Sequence, residues 1–182
     1  MTKNHLEEIF EATNSLKVLS FLARYPAQEF LSSEIQMGVS VSRAGAYLAL
    51  QNLLREKLVN KKEKGRFHLY SLNHVNPIVR QFKVLMNVIL LEPLILKLRP
   101  FMVRMILFGS ASRGEDTVSS DIDLFIISKD PETIKEHLTS YKAERKLQPI
   151  VLVPAEWPEF REREKAFFEE IEKGIVIWEE KD

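Results

Sequence analysis

Apolar positions in the first part of the chain recur every three to four residues and then every two. Leu16, Val18, Leu19, Phe21 and Leu22 mark one face of a helix that stops at Tyr25-Pro26, because proline disfavours helical backbone in the residue before it. Glu29-Phe30-Leu31 leads into Ser32-Ser33-Glu34-Ile35, a capping signal that opens a short second helix. Gly38-Val39-Ser40-Val41 reads as a turn, and Ser42 caps a third helix running to about Lys57. Ala46, Leu50, Leu53 and Leu54 give that helix its buried face, and Leu58-Val59 close the core. The period then drops to two. Leu58–Lys62 and Phe67–Leu72 are predicted strands, joined by the hairpin turn Glu63-Lys64-Gly65-Arg66.

Asn76-Pro77 starts a further helix, since proline suits the first helical position. Ile78, Phe82, Leu85, Met86 and Ile89 form one stripe, which Leu90, Leu91, Leu94, Ile95 and Leu98 widen until Arg99-Pro100 ends it. So apolar a helix needs a surface to cover it, either from the parts it joins or from a second copy of the chain. Strand and helix alternate beyond it. Met102–Phe108 is a strand, Ser112–Asp116 a helical turn and Asp121–Ile127 a second strand. Asp130-Pro131-Glu132 caps a helix reaching about Tyr141. Gln148–Val153 is a third strand, Glu156–Lys173 a helix ended by Gly174, and Ile175–Trp178 a last short strand. The predicted class is α+β (mixed α/β) in three parts: a helical and hairpin domain over residues 1–75, a linker helix over 76–100, and a mixed sheet with flanking helices over 101–182.

Composition narrows the setting. The chain is 45% apolar and 29% charged, as soluble globular proteins are. The start, MTKNHLEEIFEATNS, has no apolar core of a signal peptide. The longest apolar stretch, Val84 to Leu98, is broken by Asn87, Glu92, Pro93 and Lys97, so no membrane association is expected. There is no cysteine, which excludes disulfides and thiolate metal sites. His5, His68, His74 and His137 lack ligand spacing. A cytoplasmic location is the expectation. Charge is divided: residues 1–108 carry 15 Lys and Arg against 8 Asp and Glu, and residues 109–182 carry 11 against 18. Halves of opposite sign suit different partners.

The chemistry concentrates in LFGSASRGEDTVSSDIDLFII, residues 107–127. A strand stopping at Gly109-Ser110 with a helix behind it leaves N–H groups and a hydroxyl for phosphate oxygens. Side chains two apart on a strand share a face, so Asp121 and Asp123 present two carboxylates that repel unless a cation lies between them. Mg²⁺ commonly takes one or two carboxylates together with substrate phosphates. The same residues also fit a plain strand-to-helix turn followed by a capping aspartate, although aspartate is disfavoured in strands.

Gly-Ser, a spacer and Asp-x-Asp, each joined to a hydrophobic strand, resemble the nucleotidyltransferase superfamily that includes DNA polymerase beta. With Ser112-Arg113-Gly114 after the Gly-Ser, the stretch is similar to the minimal nucleotidyltransferase proteins of prokaryotes, over roughly residues 101 to 155. The resemblance implies transfer of a nucleoside monophosphate from an NTP. Gly109 and Ser110 would hold phosphates, Arg113 would neutralise them, and Asp121 and Asp123 would be catalytic ligands of Mg²⁺. It also implies a third carboxylate on the strand Gln148–Val153, but that strand holds no acid, and Glu144 and Glu156 only bracket it. That departure leaves metal and nucleotide binding in place and turnover in question.

The three helices and hairpin of residues 14 to 74 resemble the winged helix-turn-helix domains of prokaryotic regulators. The resemblance places the third helix in the DNA major groove, with Ser42, Arg43, Tyr47 and Gln51 facing outward. Lys61, Lys62, Lys64 and Arg66 around the wing would meet phosphates. The fold also serves protein contacts, and the surplus up to residue 75, 10 basic against 7 acidic groups, is small for a DNA-binding face. A homodimer follows from the two-fold symmetry of paired DNA half-sites. Three functions fit: a nucleotidyltransferase, a DNA-binding regulator with a degenerate nucleotide-sensing domain, and an antitoxin-like protein with a toxin-like partner.

Overall fold

The computed structural model describes residues 13–180, so the N-terminal stretch and His5 lie outside the described residues. The fold is mixed α+β. The described chain forms two compact units, one up to Met86 and one from Asn87 onward.

In the first unit α1 (Asn14–Arg24) begins where the Thr13 hydroxyl accepts a hydrogen bond from the Leu16 N–H at 3.2 Å. Its Val18, Leu19 and Leu22 pack against Ile35 of α2 (Ser32–Val39) and against Ala49, Leu50 and Leu53 of α3 (Arg43–Arg55). Ser42 caps α3 by accepting from the Gly45 N–H at 3.0 Å. β2 (Val59–Lys64) and β3 (Phe67–Leu72) pair antiparallel and contribute Val59, Tyr70 and Leu72 to the same core.

Three details differ from the sequence reading. Phe30–Leu31 is a short strand, β1, which adds to β3 and makes a three-stranded sheet in the order β1-β3-β2. The start of α2 is held by a carboxylate and not by a serine hydroxyl: the Leu31 N–H donates to Glu34 Oε2 at 2.6 Å. The hairpin turn is tighter, because Lys64 pairs with Phe67 and leaves only Gly65-Arg66, with Gly65 at φ 60°.

α4 (Pro77–Leu98) runs from the first unit into the second and continues through Pro93. Its first turns bury Val79 and pack Phe82 on the core of the first unit. Ile78, assigned to that stripe from the sequence, is exposed instead. Its last turns give Leu91, Leu94, Ile95 and Leu98 to the core of the second unit. Among the described residues no helix is long and apolar enough to cross a membrane.

The second unit is a four-stranded mixed sheet in the order β6-β5-β4-β7. β4 (Met102–Phe108) pairs antiparallel with β5 (Ile122–Ser128) and with β7 (Ile175–Glu179), while β6 (Leu147–Leu152) runs parallel to β5. Alternation sorts the side chains. Met105, Leu107, Ile122, Leu124 and Ile126 face α4 and α6 (Pro131–Ser140), whereas Ile106, Phe108, Phe125 and Ile127 face an aromatic layer with Trp157 and Phe160. A sheet covered on both faces explains why β4 and β5 read as unbroken apolar runs. The predicted helix Glu156–Lys173 is a short 3₁₀ turn (Pro154–Glu156) and two helices, α7 (Trp157–Arg163) and α8 (Lys165–Glu172). They break at Glu164, whose φ −111° and ψ 44° are not helical.

Candidate functional site

Gly109 follows β4 directly, and the helical turn after it, α5 (Gly109–Arg113), starts three residues earlier than the sequence suggested. Phe108, the residue before α5, caps it with no side chain. Ser112 Oγ donates back to the Gly109 carbonyl at 2.9 Å. Gly109 has φ +66°, a left-handed conformation that glycine adopts at no steric cost. A Cβ there would also lie 2.2 Å from Asp123 Oδ2, so the Asp123 carboxylate lies directly over the backbone of Gly109.

Asp123 sits in β5 opposite Phe108 of β4, on the face shared with Phe125. Asp121 precedes β5, which begins at Ile122. Both carboxylates are half-buried at one end of the two central strands. They differ in state. Burial, reinforced by the neighbouring charge of Asp121, pushes the Asp123 carboxyl above its ordinary value, against the pull of Arg145 and Arg113. The Asp121 carboxyl is held below the usual range, first by the Gln148 amide at 2.9 Å and then by Lys146 at 3.5 Å and by Arg145.

Gln148 is in register with Asp123 on the parallel neighbour β6. It therefore stands beside the two aspartates and brings an amide donor from the strand on which the resemblance calls for a third acid. Among the described residues no group of three or more His, Cys, Asp or Glu side chains is placed to hold a metal ion. Asp121 and Asp123 are the two carboxylates brought together here, and Mg²⁺ commonly takes one or two carboxylates along with substrate phosphates.

Arg113 is engaged elsewhere on the same turn. Its guanidinium donates to Glu115 at 3.1 Å and to Glu170 of α8, and these carboxylates raise its already high pKa. Sequence reasoning did not find Glu170, which is 57 residues away. It also missed Arg145 and Lys146, a basic pair just before β6 whose only signal was its place ahead of the strand beside Asp-x-Asp.

Residues 93–179 match the model of the nucleotidyltransferase domain family. The match begins inside α4 and ends with β7, so it spans every strand of this sheet. No curated protein matches the chain. The matched stretch contains Gly109, Ser110, Arg113, Asp121 and Asp123.

The residues assigned to DNA contact lie in the first unit. Arg43 and Tyr47 are exposed on α3, Gln51 is half-buried, and the Ser42 hydroxyl is occupied as the helix cap. On the hairpin, Lys62 pairs with Glu29 at 3.1 Å and Lys61 approaches Glu63 at 3.8 Å. Lys64 and Arg66 are exposed at the tip, where the Arg66 guanidinium lies 5.2 Å from the centre of the Phe67 ring.

Proposed function

We propose that the second unit binds an NTP with Mg²⁺ and that the first is a winged helix that binds DNA, making the protein a nucleotide-responsive DNA-binding protein. One observation carries the nucleotide reading: Asp123 lies over the left-handed Gly109, so the carboxylate pair and the turn that would cradle phosphates are one structure. Gly109 and Ser110 hold phosphate oxygens through backbone N–H groups and the hydroxyl. Asp121 and Asp123 hold Mg²⁺, which supplies the positive charge that neutralises the phosphates. The raised pKa of Asp123 supports this reading, since burial beside a like charge is what a bound cation relieves.

Gln148 favours binding over turnover. A general base beside the metal must accept a proton from the attacking hydroxyl, and an amide cannot. Transfer of a nucleoside monophosphate is the second reading, favoured by the complete Gly-Ser and Asp-x-Asp set. Labelled NTP with Mg²⁺ and cell extract separates the two. The binding reading expects retention of the label on the protein with no acceptor labelled. Acceptor labelling that disappears in Asp121→Asn/Asp123→Asn establishes transfer instead.

The DNA reading rests on the acid-free surface of α3, with Arg43 and Tyr47 exposed and Gln51 half-buried, together with the basic hairpin tip at Lys64 and Arg66. Genomic fragments captured by the protein are expected to share a site whose affinity falls with salt and in Arg43→Ala. Absence of binding at low salt removes this half of the proposal.

A further inference from the structure

We infer that Arg145 is the positioning residue that joins the phosphate-cradling turn to the carboxylate pair, through a polar network within the second unit. Its guanidinium uses all three nitrogens. Nε donates to the Ser120 carbonyl at 2.9 Å and Nη2 to the Asp121 carbonyl at 3.2 Å. Nη1 donates to Asp116 Oδ2 at 2.7 Å and to Asn87 Oδ1 at 3.3 Å. The Arg145 and Asp116 side chains are only 14% and 6% exposed, so the pair is largely withdrawn from solvent. The Asn87 amide in turn donates to the Ala111 carbonyl at 3.0 Å and to Asp116 Oδ1 at 3.2 Å.

The path of these bonds defines the role. Ala111 belongs to α5, the turn that starts at Gly109, and Asp121 is the first of the two carboxylates. Between them runs the loop Gly114 to Asp121, which has no regular structure to fix it. Asn87, Asp116 and Arg145 tie that loop at both ends. The approach to β6 completes the hold on Asp121: Arg145 binds its carbonyl, the Lys146 carbonyl takes the next N–H (Ile122) at 2.9 Å, and Lys146 and Gln148 reach its carboxylate. A planar fork suits this task, because one side chain can meet two carbonyls and a carboxylate in fixed geometry, which lysine cannot do. Partners that orient a metal ligand typically change metal affinity by about 10- to 100-fold when removed.

The inference rests on the Mg²⁺–nucleotide reading of the site, and its test separates the two. Mn²⁺ binding by the full chain in the presence of ATP is followed by electron paramagnetic resonance, alongside ATP binding without metal. Arg145→Met is expected to weaken the metal-dependent binding about tenfold. Metal-free ATP affinity should stay within about twofold, a split that general loosening of the fold does not produce. In an Asp121→Asn background the same substitution should add no further loss, because Arg145 acts through Asp121. Removing one member of a withdrawn ion pair is strongly destabilising, so Arg145→Lys provides a second, milder variant with an intermediate loss expected.

Hydrogen exchange without any ligand gives an independent readout. Amides of residues 114–122 should exchange faster in Arg145→Lys while those of β4 do not change. Wild-type chain that binds Mn²⁺ and ATP, with both Arg145 variants binding equally well, overturns the inference alone. Additive losses with Asp121→Asn, or unchanged exchange in residues 114–122, also overturn it. Wild-type chain that binds no Mn²⁺ with ATP overturns it together with the nucleotide reading.

Discussion

Replacing Gly109 by alanine tests the contact on which the site is built. The new Cβ meets Asp123 Oδ2 at 2.2 Å and Cγ at 3.1 Å, while Asp123 Cβ at 3.5 Å is an ordinary contact. Holding a non-glycine residue at φ +66° costs about 1–2 kcal/mol. The clash is with the far end of a side chain, so Asp123 can turn away, at about 0.5–1.5 kcal/mol if it leaves a favoured rotamer. Together they give a loss of about 1.5–3.5 kcal/mol in the second unit. Urea unfolding followed by tryptophan fluorescence reports on that unit, because both tryptophans, Trp157 and Trp178, belong to it. In an Asp123→Ala background the clash is gone and only the backbone cost of about 1–2 kcal/mol remains. The expected coupling between the positions is therefore about 1 kcal/mol. A loss below about 0.5 kcal/mol, or the same loss in both backgrounds, would show that Asp123 does not lie over Gly109.

Further outcomes follow from the same geometry. Gly174→Ala puts a Cβ 2.5 Å from the Leu107 carbonyl and 2.9 Å from that of Ile171; main chain yields less than a side chain, so a loss of about 2–3 kcal/mol is expected by the same urea assay. Gln148→Glu removes a donor from Asp121 and adds a third acid, so the variant should unfold at lower urea at pH 7 and recover when Mg²⁺ is added; unfolding that Mg²⁺ does not shift contradicts the placement of Gln148 beside the pair. Asp123→Asn should raise stability in the ligand-free protein at neutral pH. The folded-state pKa of Asp123 is raised, so its charge costs stability above that pKa and costs nothing once both states are protonated below the ordinary carboxylate range of about 4. The advantage of the variant at pH 7 should therefore vanish near pH 3.5 in paired urea titrations.

How much of this was legible in the sequence depended on whether a feature was local. The helix cap at Ser42, the β2–β3 hairpin and the runs of β4 and β5 follow from spacing of a few residues, and the sequence shows them. Boundaries shifted where tertiary pairing decided them. Phe30–Leu31 became a strand only because β3 offers it an edge, and Glu164 broke a helix whose periodicity looks continuous. At the site, Gly109, Ser110, Asp121 and Asp123 lie within 15 residues and form a readable motif. Arg145 meets Asp116 and Asn87 from 29 and 58 residues away. Asn87 looked like a mere interruption in an apolar helix, and nothing in its neighbourhood along the chain shows the carbonyl it reaches. The amide at Gln148 was legible as a missing acid, but its bond to Asp121 needed the parallel register of β5 and β6.

The central claim, that the Gly109 turn and the Asp121–Asp123 pair form one Mg²⁺–nucleotide site, is tested most directly by calorimetric titration of a non-hydrolysable NTP into the full chain. With Mg²⁺ present, binding is expected, and it should weaken at least about tenfold when the metal is chelated. Asp121→Asn/Asp123→Asn should show no response to Mg²⁺. Binding that is equally strong with and without Mg²⁺, or no binding to the wild-type chain at all, would contradict the account.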